Sequence, residues 1–149
     1  MTRFLPDTSC LVAAVCSWHE HHAATVAELS RRVKRREDMV VAAPALVEAY
    51  AVLTRLPPPY RLRPADALAV MEGSWARAEV VAVSGAETWS LLRGLPGAGI
   101  AGGSAYDALV AACARKAKVD VLLTWNRRDF ERVAEGLEVA SPGAEQAPQ

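Results

Sequence analysis

The sequence predicts an α/β fold: a three-layer sandwich in which helices cover both faces of a central, mostly parallel sheet of four or five strands. Short apolar runs alternate along the chain with longer segments of helical periodicity. These runs are continuously apolar, as is typical of parallel strands that are buried on both faces. With 149 residues, of which 52% are hydrophobic and 23% charged, the chain has the length and composition of one globular domain.

The first half of the chain opens the alternation of strands and helices. Asp7 and the two hydroxyl residues after it form a typical helix N-cap sequence at the end of the first strand. Pro44 suits the first turn of a helix, and three consecutive prolines from Pro57 end that helix. The predicted elements are a strand over 2–6, helices over 11–17 and 20–36, a strand over 39–43 and a helix over 44–56.

The second half continues the same pattern and adds a tail. Ser84 and Ser104 are each expected to cap a helix, and the glycine-rich segment 95–103 is a loop with the composition of a lid. The predicted elements are a helix over 64–75, a strand over 79–83, helices over 84–93 and 104–118, a strand over 121–124, a helix over 127–135 and a strand over 137–140. We expect one domain over residues 1–140 and a mobile, polar tail over residues 141–149.

Composition and charge exclude several classes of protein. Lys plus Arg equals Asp plus Glu at 17 each, so net charge does not point to a polyanionic partner. Cys10, Cys16 and Cys113 are odd in number and lack CxxC spacing, which argues against a disulfide framework and a zinc knuckle. The sequence has neither a membrane-spanning apolar run nor a signal-peptide pattern, so we expect a soluble, cytoplasmic protein. His19 and His22 have helical spacing, but surface positions are favoured over a metal role.

Polar side chains follow several predicted strands at the point where each strand ends. Asp7 directly follows the first strand, Glu48 lies one turn into the helix after the second, and Asp107 lies in the first turn of its helix. Asn126 and Asp129 follow the fourth strand. Carboxyl ends of parallel strands share one edge of a sheet, where ligands bind. Acids gathered there repel one another unless a cation lies among them, and an all-oxygen set suits magnesium or manganese rather than zinc.

Each acid also has a structural interpretation when it is taken alone. Asp7 and Asp129 can each cap a helix, and Asp107 can stabilise a helix dipole from the first turn. Glu48 is harder to explain in this way, because an apolar run surrounds it. The combination of acids, rather than any one of them, therefore indicates a site.

Four motifs, in order along residues 2–140, resemble the PIN-domain family and within it the VapC-type toxins of prokaryotic toxin–antitoxin pairs. The motifs are Asp7-Thr8-Ser9, Pro44-x-x-x-Glu48, Tyr106-Asp107-Ala108-Leu109-Val110-Ala111 and Leu123-Thr124-Trp125-Asn126-x-x-Asp129-Phe130. The resemblance implies a PIN-like sandwich and a metal-dependent endoribonuclease that cleaves RNA phosphodiester bonds with Mg²⁺ or Mn²⁺. The hydroxyl residues in these motifs have helix capping and turn formation as an alternative role.

The resemblance carries the family's acidic residues onto this chain as catalytic and metal-binding groups. Asp7, Glu48 and Asp107 match the three firmest acids. The fourth position is open: Asn126 stands where many members have an aspartate, and Asp129, three residues further on, is the acid available to replace it. We expect Asp7 and Asp107 to anchor the main ion and Glu48 to hold a water molecule or a second ion.

The resemblance also implies partners. These are an RNA substrate, a cognate antitoxin whose tail covers the acidic cleft, and a second copy of the chain in a homodimer, with no membrane involved. Arg127 and Arg128 are candidates to grip RNA phosphates, and Trp125 either packs beside the site or stacks on a base. Two alternatives remain open: a PIN-domain nuclease for RNA processing, and a degenerate PIN module that binds RNA or a partner without cleavage.

Overall fold

The computed structural model describes residues 1–144 as seven helices and a five-stranded sheet. Residues 145–149 lie outside the described residues. In chain order, the elements are β1 (Arg3–Pro6), α1 (Thr8–Val15), α2 (His22–Lys34), β2 (Asp38–Ala42), α3 (Ala43–Arg55), α4 (Pro64–Trp75), β3 (Glu79–Val81), α5 (Gly85–Gly94), α6 (Ser104–Lys116), β4 (Val121–Leu123), α7 (Arg127–Glu131) and β5 (Glu138–Ala140). The predicted alternation of strands and helices is confirmed.

The sheet is parallel throughout, in the order β3-β2-β1-β4-β5. The central strand β1 pairs with β2 on one side, where Phe4 lies opposite Met39, and with β4 on the other, where Pro6 lies opposite Leu123. The chain therefore leaves β1 in one direction and returns to its other side later, so the strand order reverses between β1 and β4. Ligands bind at such a reversal, beyond the carboxyl ends of the strands.

Helices cover both faces of the sheet. Successive side chains of a strand point to opposite faces, so each face presents apolar side chains for helices to cover. Phe4 and Leu5 are both fully buried, and they belong to two different apolar clusters. The smaller cluster holds Phe4, and Leu29 of α2 packs against it. The larger cluster holds Leu5 together with side chains of α1, α3 and α6, such as Leu53. This arrangement is the predicted three-layer sandwich.

Most predicted helix ends differ from the structure by one or two residues, and three differences change how the helix starts or stops. Helix α1 begins at Thr8 rather than at residue 11, because the Asp7 side chain accepts a hydrogen bond from the backbone N–H of Cys10. Ser104 is the first residue of α6 rather than its cap, since Gly103 holds the N-cap position. Helix α7 ends at Glu131 rather than at residue 135.

The early end of α7 has a tertiary cause. The Arg115 guanidinium of α6 donates hydrogen bonds to the carbonyl oxygens of Val133 and Glu135, at 2.8–3.1 Å. Gly136 then takes a positive φ of 83°, a conformation that glycine adopts readily. These carbonyl groups are thus held in a turn that leads into β5.

Part of the predicted tail over residues 141–149 is described. Pro142 is buried, and the Gly143 backbone N–H lies 3.4 Å from Glu28 Oε1. Residues 145–149 lie outside the described residues, so the mobility of the tail stays a prediction. Within residues 1–144, no helix has both the length and the apolar character needed to span a bilayer.

Candidate active site

Asp7 lies at the reversal of strand order, directly after β1, and its side chain is buried. Oδ1 accepts hydrogen bonds from the Ser9 hydroxyl at 2.6 Å and the Cys10 backbone N–H at 3.1 Å, and Oδ2 accepts one from the Thr124 hydroxyl at 2.6 Å. Burial raises the pKa of Asp7 above its ordinary value, although these hydrogen bonds act in the opposite direction. The predicted capping role is confirmed, and the capping geometry also orients the carboxylate.

The segment after β4 completes the surroundings of Asp7. The Thr124 hydroxyl is buried, and it accepts a hydrogen bond from the Asn126 backbone N–H at 2.9 Å while it donates to Asp7. The Trp125 backbone N–H donates to the Ser9 hydroxyl at 3.0 Å. The ends of β1 and β4 are therefore joined by a continuous set of hydrogen bonds around one carboxylate.

Two further acids face the same open pocket of about 430 Å³ that Asp7 lines. Asp107 enters from the first turn of α6 and is half-buried, and Glu48 enters from α3 and is exposed. The Thr8 hydroxyl donates a 3.1 Å hydrogen bond to Glu48 Oε2, which ties this glutamate to the start of α1. Asn126 also lines the pocket.

The electrostatics of Asp107 show that the acids act on one another. The pKa of Asp107 is raised to about 6, first by burial and then by the negative charges of Asp129, Asp7 and Glu48. Asp129 is exposed on the first turn of α7, outside the pocket lining, yet its charge ranks directly after burial among these causes. The negative charges of the other three predicted acids therefore all act on Asp107, and a cation bound among the four would relieve this repulsion.

The predicted ligands at this pocket suit a hard divalent cation. All of them would bind the ion through oxygen atoms, and none is a thiol or an imidazole. Across residues 1–144, no group of three or more His, Cys, Asp or Glu side chains is placed as a ready-made metal site. Hydrogen bonds engage both oxygens of Asp7 and Oε2 of Glu48. The agreement between this pocket and a divalent cation therefore rests on the oxygen atoms of the predicted ligands and on the repulsion among the acids.

Comparison with known proteins identifies the family. Residues 4–136 match the family model of the PIN domain. The chain belongs to the PIN domain family. The predicted family resemblance is therefore confirmed.

This PIN domain is similar to proteins of the VapC group. It is 38% identical over 117 residues to ribonuclease VapC40 of Mycobacterium tuberculosis, covering 78% of this chain and 82% of that protein. The crystal structure of VapBC2 from Rickettsia felis, bound to a DNA fragment from their promoter, matches with a TM-score of 0.69 and 17% identity over 94% of this chain and 98% of that one. M. tuberculosis VapC20, a sarcin–ricin loop cleaving toxin, matches with a TM-score of 0.61 and 18% identity over 80% of this chain and 86% of that one. The two structures confirm the predicted fold.

The PIN domain also places residues at the pocket that the sequence did not predict there. His19, Glu20 and His21, from the loop between α1 and α2, line it together with Tyr106, which is 71% exposed. The available signal was the run of aromatic and histidine residues from Trp18, which follows an apolar helix. Only the folded loop shows that this run lies beside the acids.

Trp125 is held by packing rather than left free for a base. Its ring stacks on His21 with centroids 3.8 Å apart and planes 8° apart, and its Nε1–H donates a 2.9 Å hydrogen bond to the Thr25 hydroxyl. His22 is the second histidine with helical spacing in the sequence. Its Nδ1 lies 2.8 Å from the Ala13 carbonyl oxygen, so this side chain links α2 to α1. Neither the packing of Trp125 nor this contact of His22 requires a metal ion.

Proposed function

We propose that this PIN domain is an endoribonuclease and the toxin of a toxin–antitoxin pair. One observation carries the proposal: Asp7, Glu48 and Asp107, from three separate segments of the chain, line the same open pocket. A pocket that concentrates negative charge is unsuited to a phosphate backbone unless a cation is bound there. Similarity to ribonuclease VapC40 over 78% of this chain supports RNA as the substrate.

Asp7 and Asp107 are the proposed anchors of a magnesium or manganese ion, with Glu48 and Asp129 completing the charge around it. When bound, such an ion neutralises negative charge on the phosphate and increases the acidity of an attacking water molecule. Thr124 and Ser9 hold the Asp7 carboxylate in one orientation through two 2.6 Å hydrogen bonds.

Residues at the pocket edge have roles in binding RNA. Arg127 and Arg128 are exposed at the start of α7, directly after the pocket residue Asn126, and we assign them to phosphate binding. Thr8 holds Glu48 at the wall of the pocket, so that this carboxylate can orient a water molecule or a second ion.

A cognate antitoxin is the proposed protein partner. An apolar groove of about 540 Å³ lies beside the acidic pocket, and it shares Glu48 and Tyr106 with the pocket. Val47 is 70% exposed in this groove, so an apolar antitoxin segment bound there would cover unprotected surface and reach the acids. A homodimer is also proposed, because Leu68 and Val80 present further exposed apolar surface.

Cleavage and growth assays test this function separately. We expect the purified chain to cleave RNA with Mg²⁺ or Mn²⁺, to lose this activity in EDTA, and to slow growth when it is expressed without the protein encoded beside it. Coexpression of that neighbour should restore growth. Cleavage without slowed growth would favour RNA processing, and RNA binding without cleavage at any metal concentration would favour a non-cleaving module.

A further inference from the structure

A row of five aromatic rings runs from the acidic pocket to the protein surface. Adjacent ring centroids are separated by 3.8 Å between Trp125 and His21, 5.6 Å between His21 and His19, 5.8 Å between His19 and Trp18, and 4.4 Å between Trp18 and Tyr60. Three separate segments supply these rings: the α1–α2 loop, the α3–α4 loop and the residues after β4. The row is therefore a product of the tertiary structure.

The inner end of the row is joined by hydrogen bonds to the catalytic candidates and lines the acidic pocket. The Trp125 backbone N–H donates to the Ser9 hydroxyl, which donates to Asp7 Oδ1. His21 covers one face of the Trp125 ring, and Thr25 accepts its indole N–H. One face and the indole N–H of Trp125 are therefore already occupied, which leaves the outer end of the row as the more accessible stacking surface.

The outer end is open to solvent. Trp18 is 45% exposed and Tyr60 is 43% exposed, whereas the core residue Trp75 is 6% exposed. The Trp18 and Tyr60 rings are tilted by 31° relative to each other, so they meet as a ledge of two partly uncovered aromatic surfaces. Both rings therefore leave apolar surface available to a ligand.

The segment of chain that carries Tyr60 is basic in sequence. Residues 49–65, which include Tyr60, carry Arg55, Arg61 and Arg63 and contain no aspartate or glutamate. Arg63 is exposed at the N-cap of α4. Aromatic rings next to positive side chains match single-stranded nucleic acid, whose bases stack while its phosphates pair with cations.

We propose that Trp18 and Tyr60 form a stacking site for an unpaired base of an RNA strand that also enters the acidic pocket. This site rests on the proposed ribonuclease function and specifies its substrate as single-stranded where it passes the ledge. Because every base has a flat face, the site positions the strand with little preference for sequence. A base in a duplex is already stacked and paired, so it cannot use the ledge.

Binding of a short fluorescent single-stranded RNA, about ten nucleotides long, tests the site with Mg²⁺ present in an Asp107→Asn background, where cleavage is expected to be slow enough for binding to be measured. Trp18→Ala and Tyr60→Ala are each expected to weaken binding by roughly 5- to 100-fold, the range of one base–aromatic stack. Trp18→Phe should keep most of the affinity. Trp89→Ala is the matched control, because Trp89 is also an exposed tryptophan, 61% accessible, but lies on α5 and outside the row of five rings.

An RNA that carries 2-aminopurine gives a second readout, since stacking on Trp18 should quench the fluorescence of the base and Trp18→Ala should remove that quenching. Duplex RNA should bind equally to wild type and Trp18→Ala. The inference is overturned if Trp18→Ala and Trp89→Ala bind single-stranded RNA alike, or if Trp18→Ala weakens only antitoxin binding. RNA cleavage by the wild-type protein with Mg²⁺ is measured separately. If the wild type cleaves RNA but Trp18→Ala binds RNA unchanged, only the stacking site is rejected. If the 2-aminopurine signal is quenched but no RNA is cleaved, only the ribonuclease function is rejected.

Discussion

The Thr124 hydroxyl donates a 2.6 Å hydrogen bond to Asp7 Oδ2, although 117 residues separate them in the chain. Both residues directly follow neighbouring parallel strands, and the Asp7 backbone N–H donates to the Leu123 carbonyl oxygen at 2.9 Å. The register of β1 and β4 therefore places the hydroxyl against the carboxylate. Both side chains are buried, so water cannot solvate them. The Thr124 hydrogen bond stabilises Asp7 Oδ2 in place of water.

Thr124→Val is expected to lower both stability and RNA cleavage. The substitution keeps the shape of the side chain but leaves Asp7 Oδ2 and the Asn126 backbone N–H without the hydroxyl, at a cost of about 1–3 kcal/mol in the free energy of unfolding. Urea denaturation measures this cost. Thr54→Val is the control, because the Thr54 hydroxyl bonds the Tyr50 carbonyl oxygen on a helix surface, and its effect should stay within about 0.5 kcal/mol. Equal effects of the two substitutions would contradict the role given to Thr124.

Asp107→Asn should reduce RNA cleavage on the order of 100-fold or more, since it removes a charge proposed to hold the metal ion. Asp107 is a simpler target than Asp7, because the Asp7 side chain also caps α1 and accepts hydrogen bonds from Ser9 and Thr124. Initial rates with saturating Mg²⁺ provide the measurement. Asp66→Asn is the control, since Asp66 is exposed on α4 and lies outside the pocket lining. Full activity in Asp107→Asn would rule out the proposed metal ligand.

The same substitution should stabilise the metal-free protein in a pH-dependent way. The pKa of Asp107 is about 6 in the folded protein, above its ordinary value of 3.8, so ionised Asp107 destabilises the fold. This penalty is complete above pH 6, declines as the pH falls and is absent below 3.8. In EDTA, Asp107→Asn should therefore melt at a higher temperature than wild type at pH 7.5, and the two curves should converge near pH 4. A constant difference in melting temperature across this range would contradict the raised pKa of Asp107.

Asp129, rather than Asn126, is expected to supply the fourth group. Asp129→Asn should weaken manganese binding roughly 10- to 100-fold, as is usual for groups that support a metal site, while Asn126→Asp should change the affinity little. Asp129→Asn should also lower the pKa of Asp107, because the charge of Asp129 is the leading electrostatic cause of its rise. Calorimetry measures the affinity, and NMR titration of metal-free protein measures the pKa. Unchanged affinity in Asp129→Asn with tighter binding in Asn126→Asp would assign the position to Asn126.

The sequence alone determined two features of this protein. Periodic apolar patterns predicted the order of strands and helices, and acids at strand ends predicted the position of the site. The alternation of strands and helices is local, because it follows from side-chain burial and from residues that favour helix starts, such as the cap Asp7 and the first-turn proline Pro44. Parallel strands necessarily bring their carboxyl ends to one edge, so the gathering of Asp7, Glu48 and Asp107 was predictable without coordinates.

Only the tertiary structure decided how those groups interact. The bond from Thr124 to Asp7 depends on strand order and register, and the shortened α7 depends on Arg115 reaching across from α6. The place of Trp18 against Tyr60 depends on two loops that are far apart in sequence. Local patterns encode which face of an element is buried, but side-chain distances between separate loops arise only when the whole core packs.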